Sequence, residues 1–456
     1  SVGCSLNLES CGDMLIKANP DKNGAVNKGL ACGMGKWGFD CSMLEDKLED
    51  PLVKEDGTFR DADYHEAFVL VAKKCQSVAA KYGKDSIAVA ISDRYTNEEA
   101  YAIKRMAEAM GAKVLCINNR ESGLEKVTGL NASPNTIDEL LSTNLILKIG
   151  FKEEDSRVIA LKMKQAEEAG AKVINLCSGE NNLSFLKQIA KAIIDSGKAK
   201  KAAGYDEFAA SLASVKVSGE AKAIADQYLA AKKAMIVYQQ NFLTTDGAIL
   251  VADIAMLSGH IGSPRDGILQ VKAKNNSQGL IDMGITAGKE ALDGVKALVV
   301  FGENAEIDTE ALEFLAVCDT HMTELGAKAD VVIPGTGFAS IDGTFTNTER
   351  RMQLVQAAID EDILFSNWEV AAEIAHIFEV DLDWDGTDDI SDEMSDTVES
   401  YKYAELGEVL GGVLTPAAGA ALIAVEDGPV VEELPCTDSL MQVISMRLPK
   451  PVNPTA

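Results

Sequence analysis

Short apolar runs, too brief for helices, alternate along this chain with amphipathic stretches of helical period, and nothing else in it narrows the possible folds so far. Residues 86–91 (SIAVAI) read as a buried strand, 96–110 as a helix capped by Thr96 with Glu99 at the capping-box position, and 113–117 as the next strand. A strand, a helix and a second strand in succession require a crossover, so the strands run parallel. The alternation recurs at 145–149, 158–169 and 172–176, at 234–238 and 248–257, and in the strands 297–301, 315–318 and 330–333. Residues 64–82 carry Ala67, Leu70, Val71 and Val78 at helical spacing and stop at Gly83, while Asp56-Gly57 marks a turn between two extended pieces. Residues 183–231 read as mostly helical around a lysine-rich turn at 197–204, and 259–284 as one long loop. The expected fold class is α/β, with two doubly wound parallel-sheet subdomains.

Charge and cysteine usage remove several kinds of function. Against 43 basic side chains stand 71 acidic ones, a formal charge of −28, which repels phosphate backbones and anionic lipid, so no nucleic acid partner is expected. No apolar run reaches the roughly 18 residues of a membrane span, so direct membrane insertion is not expected and a cytoplasmic location is. Nine cysteines, an odd number, point to reduced thiols or metal ligation. The four histidines, His65, His260, His321 and His376, share no ligand spacing. An acidic stretch at 381–396 has the charge density of a solvated linker.

The first forty residues break the strand–helix rhythm. They hold Cys4, Cys11 and Cys32 and end in the run Cys32-Gly33-Met34-Gly35-Lys36-Trp37-Gly38-Phe39-Asp40. Thiolates brought together from separated turns suit an iron–sulfur site, and two cysteines 28 positions apart on glycine-rich, helix-poor sequence can supply part of one. A pair of buried thiols would leave the same trace.

Four blocks together carry a resemblance to the molybdopterin oxidoreductase superfamily. They are SVGCSL with LACGMGKWGFD at the start, SDRYTNEE at 92–99, LSGHIGSPRDG with NNSQGLIDMG across 257–284, and a fourth that runs from Gly302-Glu303-Asn304 through Ala329-Asp330 to Gly343-Thr344-Phe345-Thr346-Asn347-Thr348-Glu349-Arg350-Arg351. The resemblance implies that Cys4 and Cys32 are the third and fourth ligands of a 4Fe-4S cluster whose first two ligands lie upstream of residue 1. Gly33, Gly35, Lys36 and Gly38 would surround that cluster, and Cys11 and Cys41 would be ordinary thiols. The implied organisation is an iron–sulfur segment at 1–60, a discontinuous α/β subdomain at 61–118 and 286–375, an inserted α/β subdomain at 119–285, and an acidic linker with a short C-terminal piece at 376–456. The family's C-terminal β-barrel is expected to be missing.

Several residues depart from the catalytic members of that superfamily. The loop 116–123 reads C-I-N-N-R-E-S-G, which aligns Asn118-Asn119 with the family's pair and puts Gly123 where those members carry a metal ligand. Ser122 is one residue off, and Cys116 reads as a core thiol. Phe151 and Glu153 stand where the cofactor's diphosphates would pass, and Met34 replaces a lysine between cluster and pterin. Asn275, Asn276 and Gln278 read as loop-stapling amides, and Glu349 with Arg350 as an internal ion pair or as ligand contacts. The resemblance therefore points to the branch that kept the scaffold without molybdopterin, the large iron–sulfur subunit of NADH-quinone oxidoreductase and its soluble NADH-linked relatives. That implies an electron-transfer and scaffold subunit with no catalytic residue of its own, working with flavin- and iron–sulfur-bearing partner subunits. The alternatives are a molybdenum or tungsten subunit of the formate dehydrogenase type, with Ser122 or Cys116 as ligand, and a purely structural assembly subunit.

Overall fold

The computed structural model describes residues 1–43, 47–117, 122–176, 183–285, 288–303 and 307–431. The chain opens with a hairpin of β1 (Leu6–Cys11) and β2 (Met14–Pro20), followed by the five-residue helix α1 (Gly33–Trp37), so the first forty residues contain more regular structure than their glycines suggest. Asp56-Gly57 turns β3 (Leu52–Glu55) into β4 (Thr58–Asp61), as their spacing requires. Then come α2 (Tyr64–Tyr82), β5 (Ile87–Ile91), α3 (Asn97–Met110) and β6 (Lys113–Leu115). The inserted region supplies α4 (Gly123–Thr128), β7 (Leu145–Lys148), α5 (Arg157–Glu168), β8 (Lys172–Asn175), α6 (Ser184–Asp195), α7 (Tyr205–Ser211), α8 (Gly219–Ala230), β9 (Ala234–Gln239), α9 (Thr245–Ser258), β10 (Gly267–Val271) and α10 (Ser277–Asp282). The chain returns through β11 (Ala297–Phe301), β12 (Phe314–Asp319), β13 (Val331–Pro334), the hairpin of β14 (Gly343–Thr346) and β15 (Met352–Val355), and helices α11 (Asn367–Ile377) and α12 (Thr387–Thr397).

Two sheets result. The larger has the order β4-β3-β13-β12-β11-β5-β6, its five strands from β13 to β6 parallel, with Val89 opposite Val299 and Val299 opposite Ala316. The smaller, β10-β9-β7-β8, is parallel throughout. Every residue of β5, β9, β10 and β11 is buried, the signature of strands covered on both faces by helices. The two doubly wound sheets and the α/β class are those expected.

Two segments differ from expectation. The stretch 259–284 is not a single loop, because GILQV forms β10 and Ser277 onward forms α10; a strand buried on both faces has no alternating period to betray it. The acidic stretch is not a free linker either. It winds into α12, whose Ile390 and Met394 are buried against the larger sheet's core while Asp388, Asp389, Asp392 and Asp396 face out. Beyond it, residues 407–431 run as a strap over both sheets, held by backbone bonds such as Leu414 N to Pro134 O (3.0 Å), Leu422 N to Ala203 O (2.9 Å) and Thr244 N to Val430 O (3.0 Å). The rest of the expected C-terminal piece, 432–456, lies outside the described residues. Among the described residues no helix is long and apolar enough to cross a membrane.

Candidate functional site

Cys4 lies just before β1 and Cys32 is the N-cap residue of α1, so the hairpin and the helix bring together two sulfurs that are far apart in sequence. Both are half-buried free thiols. The Cys4 thiol is pushed up to about 11, first by burial and then by the charge of Cys32 facing it. Two thiolates here therefore need a positive group between them, the role that iron plays in a cluster. Gly33, Gly35 and Lys36 belong to α1, Gly38 is its C-cap, and Lys36 Nζ stands 5.6 Å from the Trp37 ring centroid. Cys11 is exposed on the hairpin, and the side chain of Cys41 lies outside the described residues. No group of three or more metal-ligating side chains occurs among the described residues. The donor set present, two soft sulfurs, fits part of an iron–sulfur cluster.

A polar floor lies between the two sheets, and the remaining motif blocks build it. Thr96 and Glu99 form the expected capping box at the start of α3 (Thr96 N to Glu99 Oε2, 2.8 Å), and the buried Glu99 also accepts from Asn367 Nδ2 at 2.7 Å. Glu98 takes the N–H of Thr344 at 2.6 Å and the hydroxyl of Ser391 at 2.8 Å, which fastens α3 to β14 and α12. Burial raises both carboxyls above their ordinary range. Asn275 and Asn276 donate to Arg94 O (3.0 Å) and Tyr95 O (2.9 Å), and Gln278 to Asn131 O and Asp282 Oδ1, so these amides do staple loops.

The internal pair is different from the one expected. Glu349 bonds Arg351 Nε at 2.7 Å and the Ile137 N–H at 2.7 Å. Arg350 makes no such pair among the described residues. It is 4 % exposed and spends its guanidinium on the carbonyls of Ser133 (3.0 Å), Pro134 (3.5 Å), Gly412 (2.6 Å) and Leu410, tying the strap to the inserted region. Sequence could not show this, because a carbonyl acceptor carries no side-chain signature. Arg350→Met, which keeps the stem but strands these acceptors, is expected to lower unfolding stability by about 2–3 kcal/mol in urea titrations.

Sequence reading also missed Lys272, hidden at the end of β10. Its backbone N–H donates to Thr348 Oγ1 at 2.6 Å, but its ammonium is fully buried and has no hydrogen-bond partner among the described residues. Burial pulls it down to about 7, against the raising influence of Asp282 and Glu125. Gln270 Oε1, Gln278 Oε1 and Asn131 Oδ1 likewise have no hydrogen-bond partner among the described residues. Asn131 also lines a cleft of about 830 Å³, together with Glu125, Asp282, Arg350, Tyr403 and Leu410 among others.

The positions a metal-bound pterin dinucleotide would need look different. Doubly wound sheets bind ligands at the carboxyl ends of their strands, where the strand order reverses. In the larger sheet that point falls between β5 and β11, and there the buried Tyr95 ring sits against Gly302 and edge-on to Phe301, 6.4 Å between centroids. In the smaller sheet it falls between β7 and β9, where Gln239 Oε1 takes the Lys152 N–H at 2.6 Å, Lys152 Nζ covers the Phe242 ring at 4.2 Å and Leu243 packs on Gly150. Phe151 packs onto the neighbouring core and Glu153 pairs with Lys148 at 2.7 Å. Ser122 is the N-cap of α4, 2 % exposed and bonded to Leu124 N and Gln270 Nε2, and Cys116 is fully buried in the core. A side chain at Gly123 would overlap Thr245 O. Among the described residues, these side chains occupy the two crests in this arrangement. Asn118-Asn119 and Asn304 lie outside the described residues.

A fold of two doubly wound sheets behind a cysteine-bearing hairpin defines a pterin-oxidoreductase scaffold. The molybdopterin oxidoreductase family profile matches residues 47–375, and the chain belongs to that family. It is 27 % identical to the F420-dependent formate dehydrogenase 2 subunit alpha of Methanococcus maripaludis, over 88 % of this chain and 72 % of that one. It is 25 % identical to the putative formate dehydrogenase YrhE of Bacillus subtilis, over 90 % of this chain and 51 % of that one, and so spans about half of that relative's length. Acetylene hydratase from Pelobacter acetylenicus shares the fold, with a TM-score of 0.64 and 14 % identity over 92 % of this chain and 75 % of that one.

Proposed function

We propose that this chain is an electron-transfer scaffold of a formate dehydrogenase-type complex. It ligates a 4Fe-4S cluster through Cys4 and Cys32 and passes single electrons between that cluster and redox groups on iron–sulfur or flavin-bearing partner subunits. The observation that carries this reading is the placement of Cys4 just before β1 and of Cys32 at the N-cap of α1, both half-buried free thiols. The cluster, when bound, supplies one-electron redox chemistry. The chain's own residues hold the sulfurs in place and brace the interface behind them. Tyr95, Gln239 and Phe242 at the crests, and the blocked position at Gly123, support a scaffold that turns over no metal-bound substrate itself. The relatives favour a formate-type assembly over the NADH-linked one that the sequence suggested.

A second reading is catalytic oxidation of formate at a molybdenum or tungsten centre. The relatives' names and the unpaired Lys272 ammonium favour it, since a buried cation without a partner suits a small carboxylate. Electron paramagnetic resonance on the as-isolated complex, free of any other molybdopterin subunit, separates the two. The scaffold reading predicts a reducible cubane signal that formate leaves unchanged; rapid reduction by formate establishes the catalytic reading.

A further inference from the structure

We infer that Gln353 and Asn347 are positioning residues that orient the peptide groups around Cys4 and so set the potential of the cluster it ligates. The inference rests on the cluster proposed above. Gln353 Nε2 donates to Gly3 O at 2.9 Å and reaches Ser5 Oγ at 3.5 Å, so one carboxamide from β15 grips the chain on both sides of Cys4. Asn347 Nδ2 donates to Val2 O at 2.8 Å, and Thr348 N to Ser1 O at 2.8 Å. The hairpin of β14 and β15, together with the loop joining its strands, therefore holds three successive carbonyls ahead of the cysteine.

The consequence follows from peptide geometry. None of the described peptide bonds is cis, and in a trans peptide the C=O and the N–H of one plane point in opposite directions. Fixing Val2 O and Gly3 O on the amide side thus turns the N–H groups of Gly3 and Cys4 to the other side. Those two N–H groups meet no acceptor among the described residues. Gly3 makes the approach possible: its φ of +82° is a left-handed conformation, and a Cβ there would overlap Gln353 Oε1 and come within 2.7 Å of Asn347 Nδ2. N–H groups aimed at cluster sulfur stabilise the reduced, more negative state and raise the potential. The T-N-T-E-R-R block thereby acquires a role at the cluster, separate from its staples in the polar floor.

The test uses the full-length chain in its complex. Gln353→Met keeps the length of a half-exposed side chain and removes the carboxamide that grips the chain; Asn347→Leu is the second variant. Redox titration followed by electron paramagnetic resonance is expected to show the midpoint moving to more negative potential in Gln353→Met, with iron content and unfolding temperature unchanged. Pulsed electron–nuclear double resonance after exchange into D2O is an independent readout on the wild type, where two strongly coupled exchangeable amide protons are expected. A wild-type cluster without those couplings, or a midpoint that stays put in both variants, overturns the clamp alone. Absence of any cluster signal in the wild type overturns the cluster assignment, and the clamp with it.

Discussion

Cys32→Ala in the full-length chain is expected to abolish the cluster signal of this subunit and remove roughly four iron atoms per chain, while the two sheets stay folded. The loss follows from the proposed ligation, because without the Cys32 thiolate one iron of the cubane is left open to water and oxidants and the cluster degrades. The folded state survives because neither β1 nor α1 contributes to the two large cores, which are built from the helices and strands of the sheets. Circular dichroism should therefore be near wild type while iron and the reduced-state resonance are gone. An alanine variant that keeps its full iron complement would remove Cys32 from the ligand set.

Asp253→Asn is expected to stabilise the protein, and by more as the pH rises. Asp253 sits on α9 beneath the strap with no solvent exposure; its Oδ1 accepts the Ile423 N–H at 3.1 Å and its Oδ2 has no partner among the described residues. Burial pushes its carboxyl from 3.8 up to about 8. The folded chain therefore holds a proton that the unfolded chain has already released between those two values. Stability falls as pH rises through that window and levels off above it, once both states are ionised. Each pH unit in the window costs about 1.4 kcal/mol at most, and relaxation around buried charge trims this, so a gain of about 2–3 kcal/mol at pH 8 is expected for the amide. Urea unfolding at pH 5 and pH 8 measures it. Equal effects at the two values, or a loss at pH 8, would contradict the buried, proton-holding carboxyl.

The α/β fold was legible because its signals are local. The runs SIAVAI and ALVVF are uniformly apolar, and Thr96 with Glu99 announces a helix start in four residues; none of this depends on distant neighbours. What sequence did not show depends on them entirely. β10 is a strand only because β9 offers it an edge, α12 is ordered only because Ile390 and Met394 find a core, and the strap is held by backbone bonds that leave no trace in side-chain pattern. The same division holds at the site. Cys4 and Cys32 stood out through the motif around them, whereas the bonds from Gln353 to Gly3 and from Arg350 to the strap join residues with no common motif. Glu349 shows the limit of adjacency as a guide: Arg350 is its neighbour in sequence, but backbone at φ +65° swings that residue away and leaves Arg351 as the partner.

The molybdenum and tungsten content of the purified complex, with no other molybdopterin subunit present, tests the central claim most directly. A scaffold whose crests are filled by Tyr95, Gln239 and Phe242 predicts that both metals fall far below one atom per chain while iron is retained. One atom of molybdenum or tungsten per chain would contradict it and make this subunit the catalytic one.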